Sequence, residues 1–205
     1  MEFNFKNIFY IVIKKFVLLM KLFKTFLTIL VITLLSSPSW SVTFDDLMQR
    51  KGIYYQKLTD IPFSGEITGE EQGSIENGQR EGAWVSYHVN GKLIYKGNYK
   101  NGKTDGAWFQ YYENGQLKYK GNYKNDKEEG AWVGYYENGQ LSYKGNYKNA
   151  KTDGAWFQYY ENGQLKYKGN YKNDKEEDAW VGYYENGIVF EPWTGTFKEG
   201  VKISD

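Results

Sequence analysis

Residues 107–124 read Ala-Trp-Phe-Gln-Tyr-Tyr-Glu-Asn-Gly-Gln-Leu-Lys-Tyr-Lys-Gly-Asn-Tyr-Lys, two aromatic-rich runs on either side of Asn114-Gly115. Asn-Gly between such runs is a strong hairpin signal, because both central residues of a two-residue type I′ turn need positive φ. With Asn114 and Gly115 as the loop, Glu113 faces Gln116, Tyr112 faces Leu117, Gln110 faces Tyr119 and Trp108 faces Gly121. Residues directly opposite share a face. One face then carries Trp108, Tyr112, Leu117, Tyr119 and Tyr123, with Gly121 leaving room for the indole, and this is the expected packed face. The other carries Phe109 and Tyr111 against Lys120 and Lys118.

The same unit recurs every 24 residues, marked by Trp84, Trp108, Trp132, Trp156 and Trp180. Self-similarity at such a period signals a quasi-one-dimensional array in which each unit packs on its neighbours. Residues 95–139 match 143–187 except at Gly102 against Ala150 and Gly130 against Asp178. A block that can be copied without harm suits an open array, since an added unit would break a closed barrel or propeller. The expected fold is all-β, an elongated open antiparallel meander of tandem β-hairpins. Between units, Asn101–Gly106 and its counterparts read as polar turns. Asp178 replaces the glycine of the other copies, and Asp tolerates a left-handed backbone.

The ends depart from the pattern, as terminal repeats should. Residues 63–82 form an irregular N-terminal cap repeat, 83–187 the array and 188–205 a C-terminal cap holding Pro192 and Trp193. Residues 42–62 are a lead-in, of which Val42–Lys51 reads as helical or irregular. Residues 1–41 read as a secretory signal peptide: Lys21 and Lys24, an apolar run from Phe26 to Leu35, then the small-x-small signal Ser39-Trp40-Ser41. Met20 is an alternative start. The competing reading is an N-terminal membrane anchor, but Lys14, Lys15, Lys21 and Lys24 interrupt any long uncharged span. The expected location is therefore periplasmic or extracellular.

Removing residues 1–41 takes away five lysines and one glutamate, leaving 21 basic and 24 acidic residues, a charge of −3. That balance carries no basic patch for nucleic acid. With no cysteine, neither disulfides nor thiolate metal sites can form. At 19% aromatic residues, the apolar contacts must come mainly from Tyr, Trp and Phe. No nucleophile with a neighbouring base, no phosphate loop and no metal constellation stands out, so neither catalysis nor a cofactor is expected. His88 stands at the Tyr112 position of its unit, and Glu113, Glu137, Glu161 and Glu185 recur beside turns.

The candidate binding face is the wetter one: Phe109, Tyr111, Lys118, Lys120, Val133, Tyr135, Phe157, Tyr159, Lys166, Lys168 and Tyr183. Lysine stems lying over rings with their heads in water account for such a surface, and a ligand surface is the alternative. An extended repeat surface points first to a protein partner. A module for glycan, choline or membrane lipid is the second expectation.

The run Tyr-Tyr-Glu-Asn-Gly-Gln-Leu-Lys-Tyr-Lys-Gly-Asn-Tyr-Lys-Asn with a following Gly-Ala-Trp resembles the variant MORN repeat over about residues 63–200. It is similar to the YwqK-type antitoxins, which are strings of this repeat. The resemblance implies a β-hairpin array with an interaction role toward protein or lipid, including neutralisation of a toxin, and no catalytic residues.

Overall fold

The computed structural model describes Leu19–Lys21 and Ser41–Asp205. The apolar run and cleavage signal of the leader lie outside the described residues, apart from Ser41. In the unit Ser41–Asp205, β1 (Leu47–Arg50) and β2 (Ile53–Gln56) form a small hairpin after a 3-10 turn at Phe44–Asp46, so of the stretch Val42–Lys51, expected to be helical or irregular, Leu47–Arg50 is a strand, held by its pairing with β2. A second sheet holds 13 antiparallel strands in sequence order: β3 (Gly65–Ile67), β4 (Glu71–Glu76), β5 (Gln79–Tyr87), β6 (Leu93–Lys100), β7 (Lys103–Tyr111), β8 (Leu117–Lys124), β9 (Lys127–Tyr135), β10 (Leu141–Lys148), β11 (Lys151–Tyr159), β12 (Leu165–Lys172), β13 (Lys175–Gly182), β14 (Gly195–Lys198) and β15 (Val201–Ser204). Its edges are β3 and β15, so the meander is open.

The two kinds of turn sit opposite to their expected places. The tight two-residue turns join the units: Lys100 pairs with Lys103 across Asn101 (φ 50°) and Gly102 (φ 75°), and Lys124 with Lys127 across Asn125 and Asp126. Positive φ at both central residues makes these the type I′ turns. Thr104 and Asp105, expected in a polar turn, are already in β7. At Asn114-Gly115 the loop has three residues. The Tyr112 N–H donates to the Gln116 carbonyl and the Gly115 N–H to the Tyr112 carbonyl, and only Gly115 has positive φ (91°). A type I turn followed by a left-handed residue closes such a hairpin. The extra residue is absorbed by a bulge, so Gln110 still faces Tyr119 and Trp108 still faces Gly121, but Leu117 faces Tyr111 instead of Tyr112.

The second residue of the inter-unit turn varies. Asp126 Oδ1 accepts from the Thr104 N–H at 2.7 Å and its hydroxyl at 3.1 Å, tying one turn to the turn before it, and Asp174 does the same to Thr152. Ala150 takes the same left-handed backbone (φ 66°) with no such bond to offset it. An L-residue other than Gly, Asn or Asp is strained there by about 1 kcal/mol. Ala150→Gly is therefore expected to raise stability by about 1 kcal/mol in chemical denaturation; no gain would mean the turn carries no strain. Asp178, with φ 63°, does adopt the left-handed backbone of Gly106, Gly130 and Gly154.

All five repeat tryptophans are buried, from 1% exposed at Trp84 and Trp180 to 8% at Trp108 and Trp156. Each indole leans back over the glycine of the preceding strand, so a methyl group on Gly97, Gly121, Gly145 or Gly169 would overlap Trp108, Trp132, Trp156 or Trp180 respectively. Gly121 thus makes room for Trp132 and not, as its register suggests, for Trp108. Tyrosines close the sides of each indole. Tyr99 and Tyr123 meet Trp108 edge-on at 5.9 and 5.8 Å.

The packing repeats every two units. Tyr95 and Tyr143 lie flat on Trp108 and Trp156, at 16° and 7°, whereas Tyr119 and Tyr167 tilt against Trp132 and Trp180 at 41° and 45°. Each of these tyrosines faces a small residue on one neighbouring strand and a glutamine on the other, and the order alternates. On the preceding strand Tyr95 and Tyr143 have Ser86 and Gly134, the Tyr143 ring lying over Gly134, whereas Tyr119 and Tyr167 have Gln110 and Gln158 there. At the C-terminal end Trp193 packs over Gly182 and edge-on to Trp180 at 6.1 Å. At the other end Phe44 stacks on Trp84 at 5.7 Å and the Arg80 guanidinium lies over the same indole at 4.3 Å.

Candidate functional site

The face opposite the tryptophans is organised in rows that cross the strands. One row runs Val85, Lys96, Phe109, Lys120, Val133, Lys144, Phe157, Lys168, Val181, each residue directly opposite the next. Lysine alternates with an apolar residue because lysine belongs to the return strand of every hairpin and Phe or Val to its outgoing strand. The four lysines are exposed and the apolar residues half-buried. Lys96 Nζ lies 4.8 Å from the Phe109 ring centroid and Lys144 Nζ 4.7 Å from that of Phe157, within cation–π range. Among the described residues none of the four forms an ion pair.

The next row pairs Tyr111 with Leu117, Tyr135 with Leu141 and Tyr159 with Leu165, while Tyr183 bridges to Val189. Of the expected binding residues, Phe109, Lys120, Val133, Phe157 and Lys168 thus fall in the lysine row, and Tyr111, Tyr135, Tyr159 and Tyr183 in the tyrosine row. Lys118 and Lys166 do not join them. They stand at the bulges forced by the three-residue loops, and their ammonium groups lie 5.4 and 5.5 Å from the rings of Tyr112 and Tyr160. Lys166 lines a cavity of about 380 Å³ at the C-terminal end with Tyr160, Tyr167, Phe190 and Trp193, and there it meets one expected binding residue, Tyr183. Lys96 and Lys144 were missed as candidates, although stepping 24 residues from Lys120 reaches both.

Carboxylates lie at the rims of the sheet. Glu81, Asp105 and Glu129 accept the N–H of Asn101, Asn125 and Asn149, the first residues of three type I′ turns. At the opposite rim Tyr112, Tyr136 and Tyr160 donate their hydroxyls to the carbonyls of Tyr135, Tyr159 and Tyr183, and Asn114, Asn138 and Asn162 bond across from loop to loop in the same way. Glu113, Glu137, Glu161 and Glu185 are exposed in these loops. His88 donates its N–H to the Lys92 carbonyl, as Tyr112 does to Gln116, so it occupies the equivalent loop position. Among the described residues no three metal-ligating side chains converge.

The most strongly raised tyrosine hydroxyls lie on the tryptophan face. Burial, reinforced by Tyr147, Tyr119 and the Glu128 carboxylate, pushes the Tyr143 hydroxyl up to about 12. Burial also raises Tyr95, Tyr123 and Tyr171, more strongly than Tyr143, as well as Tyr119, Tyr147 and Tyr167. These are hydroxyls held neutral in a packed layer.

Compared with known families, residues 80–101, 104–125, 128–149 and 152–173 each match the MORN repeat variant. Each matched stretch is one hairpin around its three-residue loop, and the chain carries four such repeats in tandem. No curated protein matches the chain.

Proposed function

We propose that this array of MORN repeat variants is a non-catalytic binding module of the cell envelope, which engages an extended partner along the lysine row. One observation carries the reading: four exposed lysines, with no ion partner among the described residues, alternate with Phe and Val across nine strands. MORN repeats are generally non-catalytic, which agrees with it. Export rests on the leader pattern of residues 1–41, and cleavage after Ser41 would give a native protein whose mass begins at Val42. A mature chain that retains Phe26–Leu35 would sink the export part.

The binding part is tested by changing Lys96, Lys120, Lys144 and Lys168 together to Gln. Material captured by the native array from an envelope fraction should be lost, while a Lys118→Gln array, altered at the bulge beside the loop and outside the row, keeps it. The antitoxin role implied by the resemblance is a narrower form, with a toxin protein seated on the same face; co-expression with the four-lysine variant would then fail to protect.

A further inference from the structure

The spacing of the lysine row restricts what can occupy it. Lys96, Lys120, Lys144 and Lys168 stand on β6, β8, β10 and β12 at one level of the sheet. Strands lie about 4.8 Å apart, so successive lysines are about 10 Å apart and the four span about 29 Å. Between them Phe109, Val133 and Phe157 offer half-buried apolar seats. The matching ligand carries one negative charge for every two strand spacings, with an apolar flank between charges.

Twist excludes a flat partner. Adjacent strands rotate by about 20–25°, so over the six strand steps from Lys96 to Lys168 the face turns by about 120–150°. A bilayer surface therefore meets only part of the row. A linear polymer can wind with it, because the lysines stand near the middle of their strands, where the row stays closest to the axis of twist. A β-extended peptide with an acid at every third residue also fails, since its successive acids point to opposite sides. In a linear polysaccharide one sugar ring advances by about one strand spacing. A chain alternating uronate with neutral sugar places one carboxylate per lysine, and the C–H faces of its rings suit Phe109 and Phe157.

We propose that the lysine row binds a linear acidic polysaccharide carrying about one carboxylate per disaccharide. The inference rests on the reading of this face as the binding face. The probes are hyaluronate oligosaccharides of defined length, with neutral dextran and vesicles of mixed phosphatidylglycerol and phosphatidylcholine as comparisons, titrated against the mature array. Affinity should rise with length until about eight sugars fill the four lysines, and dextran should not bind.

Single Lys→Gln changes at 96, 120, 144 and 168 should each weaken binding by about 2- to 5-fold, the scale of an exposed ion pair. Lys118→Gln should leave it unchanged, and circular dichroism would show that the variants stay folded. Length-independent binding, equal binding of dextran, or binding of vesicles alone would overturn the proposal. If hyaluronate fails to bind while the four-lysine change still abolishes envelope capture, the glycan falls and the face stands, with a protein as occupant. If capture is also indifferent to the lysines, both readings fall.

Discussion

Trp132→Ala is expected to lower the stability of the array by about 3–5 kcal/mol, the usual range for truncating a buried large aromatic. The indole is 3% exposed, lies on Gly121 and is flanked by Tyr119, Tyr123 and Tyr147. Its N–H donates to the Asn122 carbonyl, which would lose its partner. Tyr135→Ser, on the other face, removes a half-buried ring but leaves intact the backbone carbonyl that accepts the Tyr112 hydroxyl. It should cost under about 1 kcal/mol, as surface changes do. Equilibrium urea denaturation of the two variants separates them, and the reverse ranking would mean that the faces are exchanged.

Raising the pH is expected to unfold the array between about pH 10 and 12. Tyr143 is pushed up to about 12 by burial, and Tyr95, Tyr123 and Tyr171 are raised as well. A folded-state pKa above the unfolded value means the folded array holds its phenolic protons longer. The stabilisation is thus complete below about pH 10, where the unfolded tyrosines start to ionise, and is lost as pH climbs toward the folded values. Because these hydroxyls sit side by side, the first ionisation makes each later one harder to accommodate in the packed layer. Phenolate absorbance and ellipticity followed together should change in one cooperative step. Tyrosines that ionise near pH 10 with the ellipticity intact would contradict the packing described for them.

The period, the hairpins, the open meander and the burial of every repeat tryptophan were legible in the sequence, because each depends on local pattern. The turns were not. Asn-Gly occurs at both ends of the unit, in Asn101-Gly102 and Asn114-Gly115, and the dipeptide alone does not say which pair takes positive φ at both residues. Asn125-Asp126 and Asn149-Ala150, where glycine is absent from the same place, look less like type I′ turns and yet are. That exchange moved the register by one residue near the loop and took Leu117, Lys118 and Lys166 from their expected cross-strand partners, while Trp108, Phe109 and Lys120, farther from the loop, kept theirs. The two-unit alternation was visible as a 48-residue copy, but its structural counterpart, a small residue or a Gln facing each tyrosine from the preceding strand, needed the cross-strand partners.

A meander in which every strand lies beside its sequence neighbour has its two edges, β3 and β15, at opposite ends of the same chain. Tension applied between the termini therefore loads the edge strands first and peels the sheet one hydrogen bond at a time instead of shearing a whole ladder at once. Each 24-residue unit drawn out would add about 80 Å of contour. Because Trp108 and Trp156 are capped by stacked tyrosines and Trp132 and Trp180 by tilted ones, successive steps in a single-molecule pulling trace should alternate between two force levels. The array would act as a soft, stepwise-extensible tether.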